Sequence, residues 1–387
     1  HAMELLVEER TRGDPFENLY DFASRIDSRI MNKRQLESLI QAGAFDQLNA
    51  NRAQLFAAID KVEAVDPGTV RITLSRPEGA LLFNLGWGDA VIVAPESADN
   101  NKVSPIGTGP YKFDRWVKGD RVKLVAVDPA RQIQSVNFRF IPDPSAQIAA
   151  LRAGDIDAIT NLNAPEAVIA FQADPNFEVS IGSTEGETIL AMNNTRPPLT
   201  DIRVRRAIAH AIDRQAIVDG AMFGFGTPIG SHFAPHHPAY VDLVATYPHD
   251  TAKARALLAE AGQSDLKLTL KLPPPTYARR GGEIIASQLK DAGIAVEIIP
   301  VEWAQWLEQV FRGTNYDMTI VSHTEPMDIG IYARDKYYFN YDSPALKAVM
   351  DELNATSDPD TRNALLGEAQ KIVTGDSVNA FMFQLAR

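Results

Sequence analysis

Thr188-Ile189-Leu190-Ala191-Met192-Asn193-Asn194-Thr195-Arg196-Pro197-Pro198 runs through Asp201-Ile202-Arg203-Val204-Arg205-Arg206-Ala207 into Ala211-Ile212-Asp213-Arg214. Residues 188–192 read as a strand and 201–223 as one long helix, so this stretch carries a strand straight into a helix. The alternation extends both ways. Downstream come a helix at 251–261, a strand at 266–272, a helix at 282–292, a strand at 294–300, a helix at 303–312, a strand at 318–321 and helices at 344–356 and 359–374. Upstream, 65–74 is a turn signal followed by strictly alternating strand residues, 121–127 and 136–141 are strands, and 145–153 is a helix. Elements that take turns in this way imply mixed α/β lobes whose sheets are largely covered.

The chain has 387 residues, enough for two or three domains with sizeable cores. Hydrophobic residues make up 45% and charged residues 23%, which excludes a disordered or fibrous chain. Fifty acidic against 38 basic residues give a net charge of −12, which repels a phosphate backbone or an anionic lipid surface. Nucleic acid is therefore disfavoured as a partner. The absence of cysteine removes disulfides, thiolate metal sites and cysteine nucleophiles together, and fits an oxidising compartment. No apolar run reaches the length of a membrane span, and His1-Ala2-Met3 reads as a cloning remnant rather than a signal peptide.

Residues 1–61 have a different texture, that of short helices. Asp14-Pro15 opens one that carries Phe16, Leu19, Tyr20 and Phe22. Asn32 caps a second with Leu36, Leu39 and Ile40 at helical spacing, ended by Gly43, and a third runs from Asn51 through Leu55, Phe56 and Ile59. The apolar side chains of this segment are too many to leave in water, so 1–61 is expected to pack on the first lobe.

Three further strings complete the pattern. Pro105-Ile106-Gly107-Thr108-Gly109-Pro110-Tyr111-Lys112-Phe113 lacks the Lys-Ser/Thr pair and following helix of a phosphate loop, and reads as a tight turn entering a strand. Asp143-Pro144-Ser145 caps a helix that ends at Leu151-Arg152-Ala153-Gly154-Asp155-Ile156-Asp157-Ala158, closed by glycine. Tyr247-Pro248-His249-Asp250-Thr251-Ala252-Lys253-Ala254 precedes Leu257-Leu258-Ala259-Glu260-Ala261-Gly262. With the opening stretch, and in this order, these strings closely resemble the extracellular solute-binding proteins of family 5, the peptide and nickel class that serves ABC importers, over residues 62–387. The resemblance implies an α/β, two-lobe periplasmic binding protein fold in which a ligand is trapped as the lobes close and no chemistry is performed. It implies a first lobe and connections in 62–185 and 325–387, a second lobe in 186–324, and a helical segment in 1–61. The family's opening segment and its Tyr-Trp-Gly element after a strand like 121–127 are missing, and the chain stops at Arg387. An incomplete first lobe is therefore expected.

Residues 3–57 carry a second resemblance. Glu8-Glu9-Arg10-Thr11-Arg12-Gly13, Phe22-Ala23-Ser24-Arg25-Ile26-Asp27, Asn32-Lys33-Arg34 and Leu36-Glu37-Ser38-Leu39-Ile40-Gln41-Ala42-Gly43-Ala44-Phe45-Asp46 look like the helix-hairpin-helix region of the bacterial replicative DNA polymerase alpha subunit. The polymerase's acidic catalytic motif is nowhere in the chain, so polymerisation does not carry over. The two resemblances together imply a chimera. Two alternatives to solute binding stand beside it: a replication fragment that binds DNA or a replisome partner, and an engineered chimera without a ligand.

Val321-Ser322-His323-Thr324-Glu325-Pro326-Met327-Asp328-Ile329-Gly330-Ile331-Tyr332 is the candidate ligand loop. In peptide-binding relatives an aspartate in a comparable loop pairs with the ligand's amino terminus, and here either Glu325 or Asp328 matches, because His323 stands where a tryptophan is usual. The expected ligand-binding set is Asn193, Asn194, Trp303, His323, Glu325, Asp328 and Tyr332; Trp303 and Trp306, at i and i+3 on a helix, suit stacking or packing equally. His232, His236 and His237 have a spacing open to metal ligation, but flanking prolines read as a surface loop, and no resident metal, cofactor or catalytic residue is expected. The expected partners are a peptide or other small solute and the membrane subunits of an ABC importer, with the chain itself a monomer. The solute-binding part is expected to be periplasmic, and the chain cytoplasmic if the polymerase-like segment defines it.

Overall fold

The computed structural model describes residues 59–86, 95–325 and 327–387. The helices expected before residue 59, and their packing on the first lobe, lie outside the described residues. The described residues fall into two compact units: one takes those up to Asp114 with Leu124–Ser135 and Leu353–Asp358, the other Arg115–Lys123, Val136–Glu352 and Pro359–Arg387.

In the first unit, β1 (Ile59–Asp66) and β2 (Thr69–Leu74) form an antiparallel hairpin. Asp66 explains the turn, since its Oδ1 accepts from the Gly68 backbone N–H at 2.8 Å and holds the chain through Pro67-Gly68. Ile59 opens this strand, where the sequence suggested the end of a helix. A short helix α1 (Leu81–Leu85) follows. Strands β3 (Tyr111–Val117), β4 (Arg121–Ala126) and β5 (Ser135–Arg139) form a three-stranded sheet in that order.

In the second unit, α2 (Pro144–Ala153) is bounded as its sequence demands: Asp143 Oδ1 accepts from the Ala146 N–H at 2.7 Å, and Gly154 closes the helix at φ 77°. Helix α3 (Pro165–Gln172) has no counterpart in the sequence reading. Then come β6 (Ser183–Met192), α4 (Ile202–Ala211), α5 (Arg214–Met222), β7 (Gly226–Pro228), α6 (Thr251–Glu260), β8 (Leu266–Leu272), α7 (Thr276–Asp291) and β9 (Ile294–Pro300). The expected single helix over 201–223 is thus two helices. Ile212 turns extended, and Asp213 caps the second by accepting from the Ala216 N–H at 3.0 Å. Helix α8 (Trp303–Trp306) widens into a π-helical segment at Leu307–Arg312, and β10 (Met318–His323), α9 (Pro344–Ala355), α10 (Pro359–Gly375) and β11 (Asn379–Ala386) complete the chain.

Six strands form one mixed sheet in the order β7-β11-β6-β10-β8-β9. Strands β8, β9 and β10 pair in parallel, and β6 runs antiparallel to both β10 and β11. Of residues 325–387 only Leu353–Asp358 falls in the first unit, and β11 lies inside the central sheet, between β7 and β6. The reason is visible in the strand: Asn379–Phe383 are buried on both faces, and such a run belongs inside a sheet.

Side chains alternate across this sheet. Leu190 and Met192 of β6, Leu266 to Leu272 at every second position of β8, and Met318 and Ile320 of β10 enter one core with Val204, Ile208, Ile217, Ile285 and Leu289 of the helices. Burying a side chain of this kind contributes about 1.5–3 kcal/mol, which makes this helix-covered face the mechanical base of the unit. The intervening positions, among them Glu187, Ile189, Thr319, Val321 and His323, point to the other face, where Tyr316, Tyr332, Tyr338 and Phe339 are buried.

Candidate functional site

That second face holds the chemistry. Strand register places Glu187 of β6 directly opposite His323 of β10. Just beyond β10 the chain enters a short stretch of tight helix, Asp328–Ala333, which carries Asp328 and Tyr332 inward. The segment after β7 brings in His232. The sequence reading made 230–238 a surface loop, yet Gly230 to Ala234 are buried. Ser231 Oγ donates to the Val241 carbonyl at 2.6 Å, and a Cβ on Gly230 would stand 2.1 Å from the Leu243 and Val244 backbone, so this segment is packed against its neighbour with no side-chain room.

The resulting cluster is Glu187 (3% exposed), His232 (1%), His323 and Asp328 (7%). His232 Nε2 lies 2.7 Å from Asp328 Oδ1 and its Nδ1 3.3 Å from Glu187 Oε1. His323 Nδ1 faces Asp328 Oδ2 at 3.6 Å, too long for a hydrogen bond, while its Nε2 is 2.9 Å from the Tyr338 hydroxyl. Burial, then the nearby Asp328 charge, push the Glu187 carboxyl well above the usual range. Burial would raise Asp328 too, but the His232 and His323 rings outweigh it and hold that carboxyl below the usual carboxylate range.

Of the two acids left open by the sequence, Asp328 is committed to this interior and Glu325 is exposed. Glu325 accepts from the Thr324 N–H at 3.1 Å, and among the described residues no Lys, Arg or His lies within ion-pair distance of it. Its charge is close enough to raise Glu187 further. Tyr332 is buried, its hydroxyl accepting from Asn379 Nδ2 at 3.2 Å. His236 pairs with Glu185 at 2.6 Å, and His237 Nε2 meets Met327 Sδ at 3.3 Å, so the three histidines of that segment serve three different partners.

The remaining expected ligand residues are not brought to this cluster. Asn193 Nδ2 donates to the Thr314 carbonyl at 2.8 Å, and its Oδ1 accepts from Asn340 Nδ2 at 3.0 Å. Asn194 Nδ2 donates to the carbonyls of Met192, Phe339 and Val378. Both amides clamp backbone. Trp303 is 42% exposed, whereas Trp306 is buried and donates its Nε1–H to Thr319 Oγ1 at 2.9 Å. Glu187 and Tyr338 were missed by the sequence reading. Strand β6 carries two acids, Glu185 and Glu187, and Glu187 stands two residues before its apolar run on the same side as Ile189, which was a usable signal.

Residues 28–345 match the family described as bacterial extracellular solute-binding proteins, family 5 middle region. The match begins inside the 3–57 segment that was set apart by its resemblance to a polymerase. The dipeptide-binding protein of Escherichia coli K12 is 29% identical over 66% of this chain and 51% of its own length. The glutathione-binding protein GsiB of Salmonella choleraesuis is 31% identical over 67% of this chain and 52% of its own length. The chain therefore spans about half the length of the curated relatives it matches. Among solved structures, the periplasmic binding protein DppA from Helicobacter pylori in complex with the peptide STSA superimposes with a TM-score of 0.73 at 26% identity, over 85% of this chain and 70% of that one. NikA from Brucella suis in complex with Fe(III)-EDTA shares the fold, with a TM-score of 0.76 at 22% identity over 90% of this chain and 78% of that one. The fold is that of the two-lobe periplasmic binding proteins, and the match across most of its length makes this chain a member of the family 5 bacterial extracellular solute-binding proteins.

Proposed function

We propose that this chain is the substrate-binding protein of an ABC importer, that it captures a peptide-like solute, and that Glu325 pairs with the solute's free amino terminus. The observation that carries the reading is the contrast between the two acids of one loop. Asp328 is buried and held by imidazoles, and Glu325 is exposed directly after the central strand with no cationic partner among the described residues. A carboxylate so placed suits an ammonium group, which it would hold by a charge-assisted hydrogen bond. The family match from residue 28 favours this reading over a replication fragment or a ligand-free chimera, and relatives named for dipeptide and glutathione binding support the solute class. A periplasmic location and a monomeric state belong to the same proposal; among the described residues no helix is long and apolar enough to cross a membrane.

Calorimetric titration of Glu325→Gln with a short unblocked peptide tests the assignment. Loss of one charge-assisted contact is worth about 1.5–3 kcal/mol, roughly tenfold to over a hundredfold in affinity. Unchanged affinity would remove Glu325 from the site.

A further inference from the structure

The buried face raises a question that peptide capture does not answer. Glu187 and Asp328 are two carboxylates taken out of water, and among the described residues their ion-pair partners are imidazoles, with no lysine or arginine. Glu187 Oε1 and His232 Nδ1 are buried 3.3 Å apart in an ion-pair contact, and neither atom makes a hydrogen bond. A buried carboxylate oxygen left in this condition is costly and calls for a cation or a proton. The geometry favours a cation. One ligand atom each from Glu187, His323 and Asp328 lies within 4.8 Å of the others. Around a tetrahedral ion with bonds of about 2.0–2.2 Å, ligand atoms stand roughly 3.3–3.6 Å apart, so the 3.6 Å between His323 Nδ1 and Asp328 Oδ2 is a spacing that an ion bridges and a hydrogen bond does not.

We propose that Glu187, His323 and Asp328 form a binding site for a first-row divalent transition cation of the zinc class, distinct from the solute-pairing Glu325. One imidazole with two carboxylates suits such an ion better than calcium or magnesium, which take six or more oxygens. Each ligand is aimed by a neighbour. Tyr338 Oη stands 2.9 Å from His323 Nε2 and orients the ring; with the proton on Nε2, the Nδ1 lone pair faces the carboxylates. His232 occupies Asp328 Oδ1 at 2.7 Å and leaves Oδ2 for the ion. The cross-strand pairing of Glu187 with His323 places two of the three ligands on rigid backbone, where a site is held with little adjustment. The site does not depend on the peptide reading, since Glu325 supplies no ligand.

The test uses the full chain, stripped with chelator and dialysed against zinc chloride, with bound metal counted by elemental analysis. About one ion per chain is expected. Glu187→Gln and His323→Ala should lose it, and Tyr338→Phe should weaken it about 10–100-fold, as is usual when a ligating histidine loses its outer partner. Glu325→Gln and a His236→Ala/His237→Ala double variant should keep it; the double variant separates the site from surface histidines. Because Glu187→Gln could fail to fold, cobalt(II) provides a second readout in the unaltered chain, where an imidazole and two carboxylates should give a visible absorption band that zinc displaces. No stoichiometric zinc and no cobalt band in the folded chain would overturn the proposal and leave a shared proton as the occupant. Retention of zinc by folded His323→Ala would overturn it as well. Neither result would bear on peptide affinity, which is read separately.

Discussion

Arg205 and Arg214, two of the residues that make the central motif recognisable, both end on backbone carbonyls. Arg205 donates to Ser377 at 3.0 Å, Leu199 at 2.7 Å and Asp376 at 2.9 Å; Arg214 donates to Phe381 and Tyr247, each at 2.8 Å. Burial pushes the Arg214 guanidinium down to about 10, and it still carries its charge at neutral pH. Arg214→Ala would orphan two buried carbonyls that now accept charge-assisted bonds, and should cost about 2–4 kcal/mol, read as a lower urea midpoint at unchanged slope. An unchanged midpoint would mean the carbonyls find water instead. Asn193 and Asn194 teach the same lesson from the other side. Their place in the chain suggested contact with a ligand, but spacing along a sequence says where an amide sits and not which carbonyl it meets. The candidate loop was legible because acids, histidine and tyrosine follow a strand; that Asp328 is buried and Glu325 exposed depends on His232, 96 residues away.

At the scale of elements, period did well where one face is buried and failed where a cap interrupts it. Strands β8 and β9 have the bounds that alternation gives, 266–272 and 294–300. The break between α4 and α5 was hidden because apolar residues continue across it, and Asp213, placed inside the single helix expected over 201–223, is a cap. Gly230 gives a sharp test of the packed segment after β7. Gly230→Ala must push the Leu243–Val244 backbone aside and should destabilise the unit by about 1–3 kcal/mol, checked by denaturant unfolding. Helices α3 and α7 are joined by a bidentate pair, Arg280 Nη1 and Nη2 to the two Glu166 oxygens at 2.9 and 3.0 Å. Burial opposes ionisation of Glu166, but the Arg280 bonds prevail and lower its pKa, so the stabilisation is present above the usual glutamate range and lost as pH falls through the lowered value. Both side chains are near 40% exposed, so solvent screens the pair. Glu166→Gln should therefore cost less than about 1 kcal/mol at pH 7 and nothing at an acid pH below the lowered value, measured as the difference in thermal midpoint. An equal loss at both pH values would assign the effect to packing.

For the molecule as a whole, the second unit explains how one sheet serves two purposes. Its helix-covered face is mainly apolar, while its other face carries carboxylates, imidazoles and tyrosines whose buried polar atoms fix a particular arrangement. The α/β class and the two-lobe family were legible from motif order, because strand-to-helix turns and caps are local. The membership of β11 in the central sheet was not, because its pairing with β6 spans nearly 200 residues. Capture of a solute through its amine is the central claim, and one experiment addresses it directly: calorimetric titration of the full chain with matched short peptides, free or acetylated at the amino terminus. Unblocked peptides should bind at least about tenfold more tightly than their acetylated partners, and Glu325→Gln should erase the difference. Equal affinity for both forms, or no binding of any unblocked peptide by the folded chain, would contradict it.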